Sequence, residues 1–75
     1  IDNLLKMFDM HEIEAKSLVE KKLSLPSYDQ CLKASHVFNI LDARGAISVA
    51  QRAGYIGRIR DITKAAAGIW LDSQS

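Results

Sequence analysis

Phe38-Asn39-Ile40-Leu41-Asp42-Ala43-Arg44-Gly45-Ala46-Ile47-Ser48-Val49-Ala50-Gln51 reads as the end of one helix and the start of the next. Gly45 has no Cβ to clash with the following carbonyl, so it takes the left-handed backbone that closes a helix. The helix before it is therefore predicted to stop near Arg44. Ser48 is placed to accept from the first free N–H groups of a new helix, and Gln51 to reach back to the Ser48 amide as a capping box. The next helix is predicted to begin at Val49. So short a connection favours an antiparallel pair.

On the N-terminal side, Leu25-Pro26 interrupts an earlier pattern, because proline disfavours a helical residue before it and suits the first turn of a helix after it. The second helix is predicted over 26–44, with Tyr28, Cys31, Leu32, Ala34, Ser35, Phe38 and Leu41 in a wide apolar arc. Val37 and Ile40 fall on the other side, and a helix apolar almost all round is usually the central one. The first helix is predicted over 3–22, capped by Asp2 or Asn3. Leu4, Leu5, Phe8, Ala15, Leu18 and Val19 return to one face at helical spacing. Glu12 and Lys16 stand four apart in the favourable order. Met10 and Ile13 point away from the stripe, where they suit contact with a neighbour outside the bundle.

The third helix is predicted over 49–71, followed by a polar tail, Asp72 to Ser75. Val49, Ile56, Ile59, Thr63, Ala66, Ala67 and Trp70 form its apolar face, widened by Tyr55, Ile62 and Ile69. Gly54, Gly57 and Gly68 each cost about 1 kcal/mol relative to Ala inside a helix. They are read as tolerated on an exposed face, with close approach of another backbone at Gly57 as the alternative. Three such helices with short links can bury their stripes only against one another, so the fold class is all-α, a three-helix bundle in a single domain. Phe38 is expected near its centre.

Seventy-five residues allow one domain with about 3–5 kcal/mol of net stability from its core. The hydrophobic share of 48% and charged share of 25% are those of a soluble globular chain. Residues 1–23 carry four Lys against five Asp or Glu (4 − 5 = −1), and residues 42–64 carry five basic against two acidic (5 − 2 = +3), so positive charge gathers on the third helix. A lone cysteine, Cys31, excludes an internal disulfide and fits a reduced, cytoplasmic setting. No signal peptide or apolar run of membrane length occurs. The chain opens on Ile1 and enters a helical pattern at once, which reads as a piece of something longer.

Candidates for chemistry are few. His11 lies in the apolar face of the first helix and His36 at the edge of the second helix's arc. Without a His-x-x-x-His or Glu-x-x-His pair, they read as hydrogen-bonded structural histidines rather than metal ligands. Cys31 and His36 point about 140° apart on a helix and cannot act as a nucleophile pair. Arg52 projects within an apolar arc, where an unpaired charge is costly, so it is expected in an ion pair with Asp42, the nearest candidate, or hydrogen-bonded to exposed helix-end carbonyls. Arg44, Arg58, Arg60 and Lys64 can form a basic strip for phosphates, with Tyr55 as a stacking ring. A helix-turn-helix reading fails because the residues after Ser48 lack the Arg, Asn and Gln that read base edges.

Leu32-Lys33-Ala34-Ser35-His36, the stretch Phe38 to Val49 and Tyr55-Ile56-Gly57-Arg58-Ile59-Arg60 closely resemble the C-terminal helical region of the alpha subunit of bacterial-type tetrameric glycine–tRNA ligases. Phe8-Asp9, Leu25-Pro26 with Tyr28, and Lys64-Ala65 also fit, so the resemblance spans nearly the whole chain. It departs at Val49-Ala50-Gln51-Arg52, where the family usually has Val-Thr-Glu-Arg; Gln51 keeps the cap and lacks the charge. The resemblance implies a class II aminoacyl-tRNA synthetase that activates glycine with ATP and Mg²⁺ and esterifies tRNA with it. It also implies that the catalytic domain precedes Ile1, so no catalytic, cofactor or metal residue is expected in this chain. The implied partners are that catalytic domain and a beta subunit, separate or fused. Two roles follow: packing against those partners through Met10, Ile13, Val37 and Ile40, or contact with the backbone of tRNA(Gly) through Arg44, Arg58, Arg60 and Lys64. An unrelated helical adaptor that binds protein helices is a third reading.

Overall fold

The computed structural model describes residues 2–74. They form three helices, α1 (Asp2–Glu20), α2 (Ser24–Ala43) and α3 (Val49–Gln74), in the expected all-α bundle. The Ser24 hydroxyl donates to the Ala66 carbonyl at 3.1 Å, and Asp42 meets Arg52 at the opposite end, so α2 and α3 run antiparallel. α1 and α3 run the same way, with Arg58 beside Asp9 and Glu12. At 1.5 Å per residue α3 spans about 39 Å, close to the 42 Å long axis of the molecule.

Both turns close by the same hydrogen bonds. After α2, the Ala46 amide donates to Leu41 O (3.1 Å) and the Gly45 amide to Asp42 O (3.0 Å), with Gly45 at φ +68°. After α1, Leu23 donates to Leu18 O and Lys22 to Val19 O, both at 2.9 Å. Lys22 there holds φ +59°, the left-handed conformation usually left to glycine. This closure ends α1 at Glu20, two residues before the predicted stop. The expected capping box opens α3: the Ser48 amide donates to Gln51 Oε1 (3.0 Å) and the Gln51 amide to Ser48 Oγ (3.1 Å).

α2 starts at Ser24 rather than Pro26, because the Ser27 amide already donates to Leu23 O. Pro26 lies in the first turn, where a missing N–H leaves no intrahelical acceptor unmet. Likewise α1 begins at Asp2, so Asp2 and Asn3 lie within its first turn rather than before it. α3 continues past Leu71 through most of the expected polar tail, and Ser75 lies outside the described residues.

The core joins Phe8 and Ala15 of α1 to Cys31, Ala34, Val37, Phe38 and Leu41 of α2 and to Ile62 and Ala66 of α3. α2 supplies most of it, as its broad apolar surface predicts. Val37 is 3% exposed, which corrects its assignment to an outward face. α1 and α3 cover α2 over a wider arc than its main stripe, and Val37 falls inside that arc. The reverse holds for Val49, Leu32, Tyr28, Ile56 and Trp70, which were expected in the apolar arcs and are exposed. Val49, the first residue of α3, stands 90% exposed. Ser27, the one buried polar side chain among the core positions, donates to Ser24 O at 2.8 Å. A Cβ added at Gly54, Gly57 or Gly68 would meet nothing within 4 Å, so no backbone of the described residues approaches Gly57, as the tolerance reading expects.

Candidate functional site

The densest polar arrangement in the bundle is built around Arg58. Asp9 and Glu12 stand one turn apart on α1, beside Phe8, while Tyr55 and Arg58 stand one turn apart on α3. Packing α1 against α3 brings the four together. Arg58 donates from Nε to Glu12 Oε2 (2.9 Å) and from Nη2 to Glu12 Oε1 (2.7 Å) and Asp9 Oδ1 (2.7 Å). Its guanidinium carbon lies 4.8 Å from the Phe8 ring centre and 5.0 Å from that of Tyr55. Tyr55 in turn meets Phe8 edge-on at 4.9 Å and Phe38 at 6.0 Å.

The Arg58 hydrogen bonds hold the Glu12 carboxyl below the usual carboxylate range, against the opposing effect of burial, with Coulombic help from Arg58 and Lys16. The same bonds push the Arg58 guanidinium further up, to a permanent charge. Glu12 therefore hydrogen-bonds Arg58, and Lys16 acts on it through Coulombic attraction alone, the weak i,i+4 pair read from the sequence.

This geometry also sets Arg58 apart from the other cations of the basic strip. Arg58 is paired with two carboxylates at 37% side-chain exposure, and Tyr55 is packed on the core rings. Arg44, Arg60 and Lys64 remain exposed. Arg52 pairs with Asp42 at 3.1 Å, as expected, but at 57% side-chain exposure it is a surface pair rather than a rescued buried charge. The sequence carried a clue to the Arg58 cluster in two one-turn pairs, Asp9/Glu12 and Tyr55/Arg58, but nothing local says that α1 and α3 bring them face to face.

His11 is half-buried and shares a 2.7 Å hydrogen bond between its Nδ1 and Gln30 Oε1, the structural role expected of it. His36 is exposed instead, and among the described residues no hydrogen bond reaches it. Burial pushes the Cys31 thiol up, with a partly opposing hydrogen bond involving Thr63, so the thiolate nucleophile is disfavoured. Of the interface candidates, Met10 (64%) and Ile13 (65%) are open on α1, Ile40 is half-buried, and Val37 is inaccessible.

Two shallow grooves mark the surface. One, of about 240 Å³, is lined by Ser24, Leu25, Tyr28, Ala66, Ala67 and Trp70. The other, of about 280 Å³, sets Lys16, Glu20 and Asp61 around Val19, Ile62 and Ala65. Neither gathers the several cations a triphosphate needs, and among the described residues no three His, Cys, Asp or Glu side chains are close enough to hold a metal ion. Among the described residues no helix is long and apolar enough to cross a membrane.

The model of the family described as glycyl-tRNA synthetase alpha subunit matches residues 1–75, the full length of the chain. The chain belongs to that family. Assignment to the glycyl-tRNA synthetase alpha subunits places it among the aminoacyl-tRNA synthetases, the glycine–tRNA ligases of protein biosynthesis. Within this synthetase domain, Arg58 and its partners then read as architecture that fixes α1 on α3, leaving the exposed faces of the helices as the candidate working surfaces.

Proposed function

We propose that this bundle is an accessory packing module of a glycyl-tRNA synthetase alpha subunit. It supports ATP-dependent attachment of glycine to tRNA(Gly) by bracing the catalytic domain of the same subunit, the beta subunit, or both, in the cytoplasm. On this reading ATP and Mg²⁺ are bound outside residues 1–75. The observation that carries it is the outward face of α1, where Met10 and Ile13, one turn apart, stand open to water with Met7 nearby. Burying two such side chains is worth about 1.5–3 kcal/mol each.

The test is a full alpha subunit carrying Met10→Glu and Ile13→Glu, examined for assembly by sedimentation and for glycylation of tRNA. Assembly and glycylation should both fall, while the 75-residue chain with the same changes should unfold within about 0.5 kcal/mol of the parent, as exposed sites allow. Full assembly and activity in the variant would overturn the proposal.

A second reading, contact with the tRNA backbone, rests on the exposed Arg44, Arg60 and Lys64 without Arg58. It predicts salt-sensitive tRNA binding that weakens when Arg60 and Lys64 become Gln.

A further inference from the structure

The groove between the start of α2 and the end of α3 is apolar, and its exposed charges are a paired Lys33 and Asp29 on α2 and, among the described residues, unpaired cations on α3. Leu25, Tyr28 and Leu32 stand at i, i+3 and i+7 on α2, and all three are exposed, Leu25 at 75%. Ala67 and Trp70 of α3 form the opposite wall of the 240 Å³ groove. By helical geometry Arg60 and Lys64 lie only about 20° and 60° round α3 from Ala67, on the same side of the helix. Both are exposed, and neither forms an ion pair among the described residues, whereas Arg52, Arg58 and Lys33 each meet a carboxylate.

The acidic groups nearby are turned away or engaged. Asp29 is held by Lys33 at 3.3 Å. Asp61 and Asp72 lie about 120° and 140° round α3 from Ala67. A ridge at helical spacing beside a groove, with uncompensated positive charge along one edge, is complementary to a helix whose apolar stripe is bordered by carboxylates.

We infer that the α2–α3 groove is a docking site for an amphipathic helix with acidic flanks, supplied by a partner protein. The helix seats its apolar stripe between Leu25, Tyr28, Leu32 and Trp70 and sets its carboxylates against Arg60 and Lys64. This inference rests on the packing-module reading, but it uses a face distinct from that of Met10 and Ile13.

The experiment titrates the isotope-labelled 75-residue chain with two synthetic helical peptides that share one leucine stripe, one flanked by Glu and the other by Lys, and with a single-stranded RNA oligonucleotide. The Glu-flanked peptide should shift the amides of Leu25, Tyr28, Leu32, Ala67 and Trp70. Leu25→Gln with Leu32→Gln should weaken it about tenfold or more, with the melting temperature unchanged because both sites are exposed. Arg60→Glu with Lys64→Glu should reverse the preference toward the Lys-flanked peptide. Equal binding of the two peptides, no binding of either, a response to RNA alone, or self-association that fills the groove without peptide would each overturn the inference. Shifts confined to the Met10 and Ile13 face would also overturn it, while leaving the packing-module reading intact.

Discussion

Arg58 and Glu12 meet as a two-bond fork across the α1–α3 interface, Nε on one carboxylate oxygen at 2.9 Å and Nη2 on the other at 2.7 Å. The Glu12 side chain is only 12% exposed, while that of Arg58 is 37% exposed, so solvent screening moderates the pair without removing it. Arg58→Met should therefore destabilise the domain by about 1–3 kcal/mol. Arg58→Lys should restore little, since an ammonium cannot form the fork. Urea unfolding of both variants and of Glu12→Gln, arranged as a double-mutant cycle, measures the coupling. A cycle closing at zero would reduce the cluster to packing.

The same contact sets an acid limit. Glu12 holds its proton less tightly when folded than when unfolded. The stabilisation is thus fully present above the ordinary glutamate pKa of about 4.3. As pH falls below that, the unfolded chain takes up the proton first, and the contribution is lost as pH drops through the lower folded value. Arg58 stays charged throughout and adds no acid step. Melting temperature against pH should therefore fall more steeply on the acid side in the parent chain than in Glu12→Gln.

Phe8 and Phe38 carry the core. Phe8 is fully buried and Phe38 nearly so, and each touches Tyr55. Truncation of either to Ala should cost about 3–5 kcal/mol, comparable with the whole stability of a domain this small. Loss of cooperative thermal unfolding is the expected outcome, and a folded, cooperative Phe38→Ala chain would contradict this packing.

The two helix stops offer a matched comparison. Lys22 and Gly45 occupy the same closure with left-handed backbones, and only Lys22 carries a Cβ there. Lys22→Gly should stabilise by up to about 1 kcal/mol, the relief of left-handed strain less the added freedom of the unfolded chain. Gly45→Ala should destabilise by about 1–2 kcal/mol. In the middle of α3, where nothing crowds the added methyl, Gly54→Ala and Gly57→Ala should each stabilise by about 0.5–1 kcal/mol. Chemical denaturation of the four variants decides all of these.

What could be read from the residues alone was whatever depends on local chemistry. Gly45, Ser48 and Gln51 announce their turn and cap because each acts on backbone groups within a few positions. The spacing of Phe8, Ala15, Phe38 and Leu41 marks the core for the same reason. The end of α1 was placed two residues late because Lys22 gives no sign that it will take a glycine's backbone. Val37 and Val49 were misplaced because periodicity orients a side chain without saying which neighbour, if any, stands opposite. Arg58 looked like a free cation until Asp9 and Glu12, far away in sequence, were brought alongside.

Trp70 and Tyr55 stand fifteen positions apart on α3, about 22 Å along its axis, with the single indole of the chain at the open groove and the phenol wedged between the two phenylalanine rings. In a Tyr28→Phe chain, intrinsic fluorescence excited at the indole will thus watch one extremity of the bundle, and near-ultraviolet dichroism from the remaining tyrosine will watch its interior. Where the two optical signals part company during heating, the separation measures how far the terminal turns of α3 fray before the centre lets go.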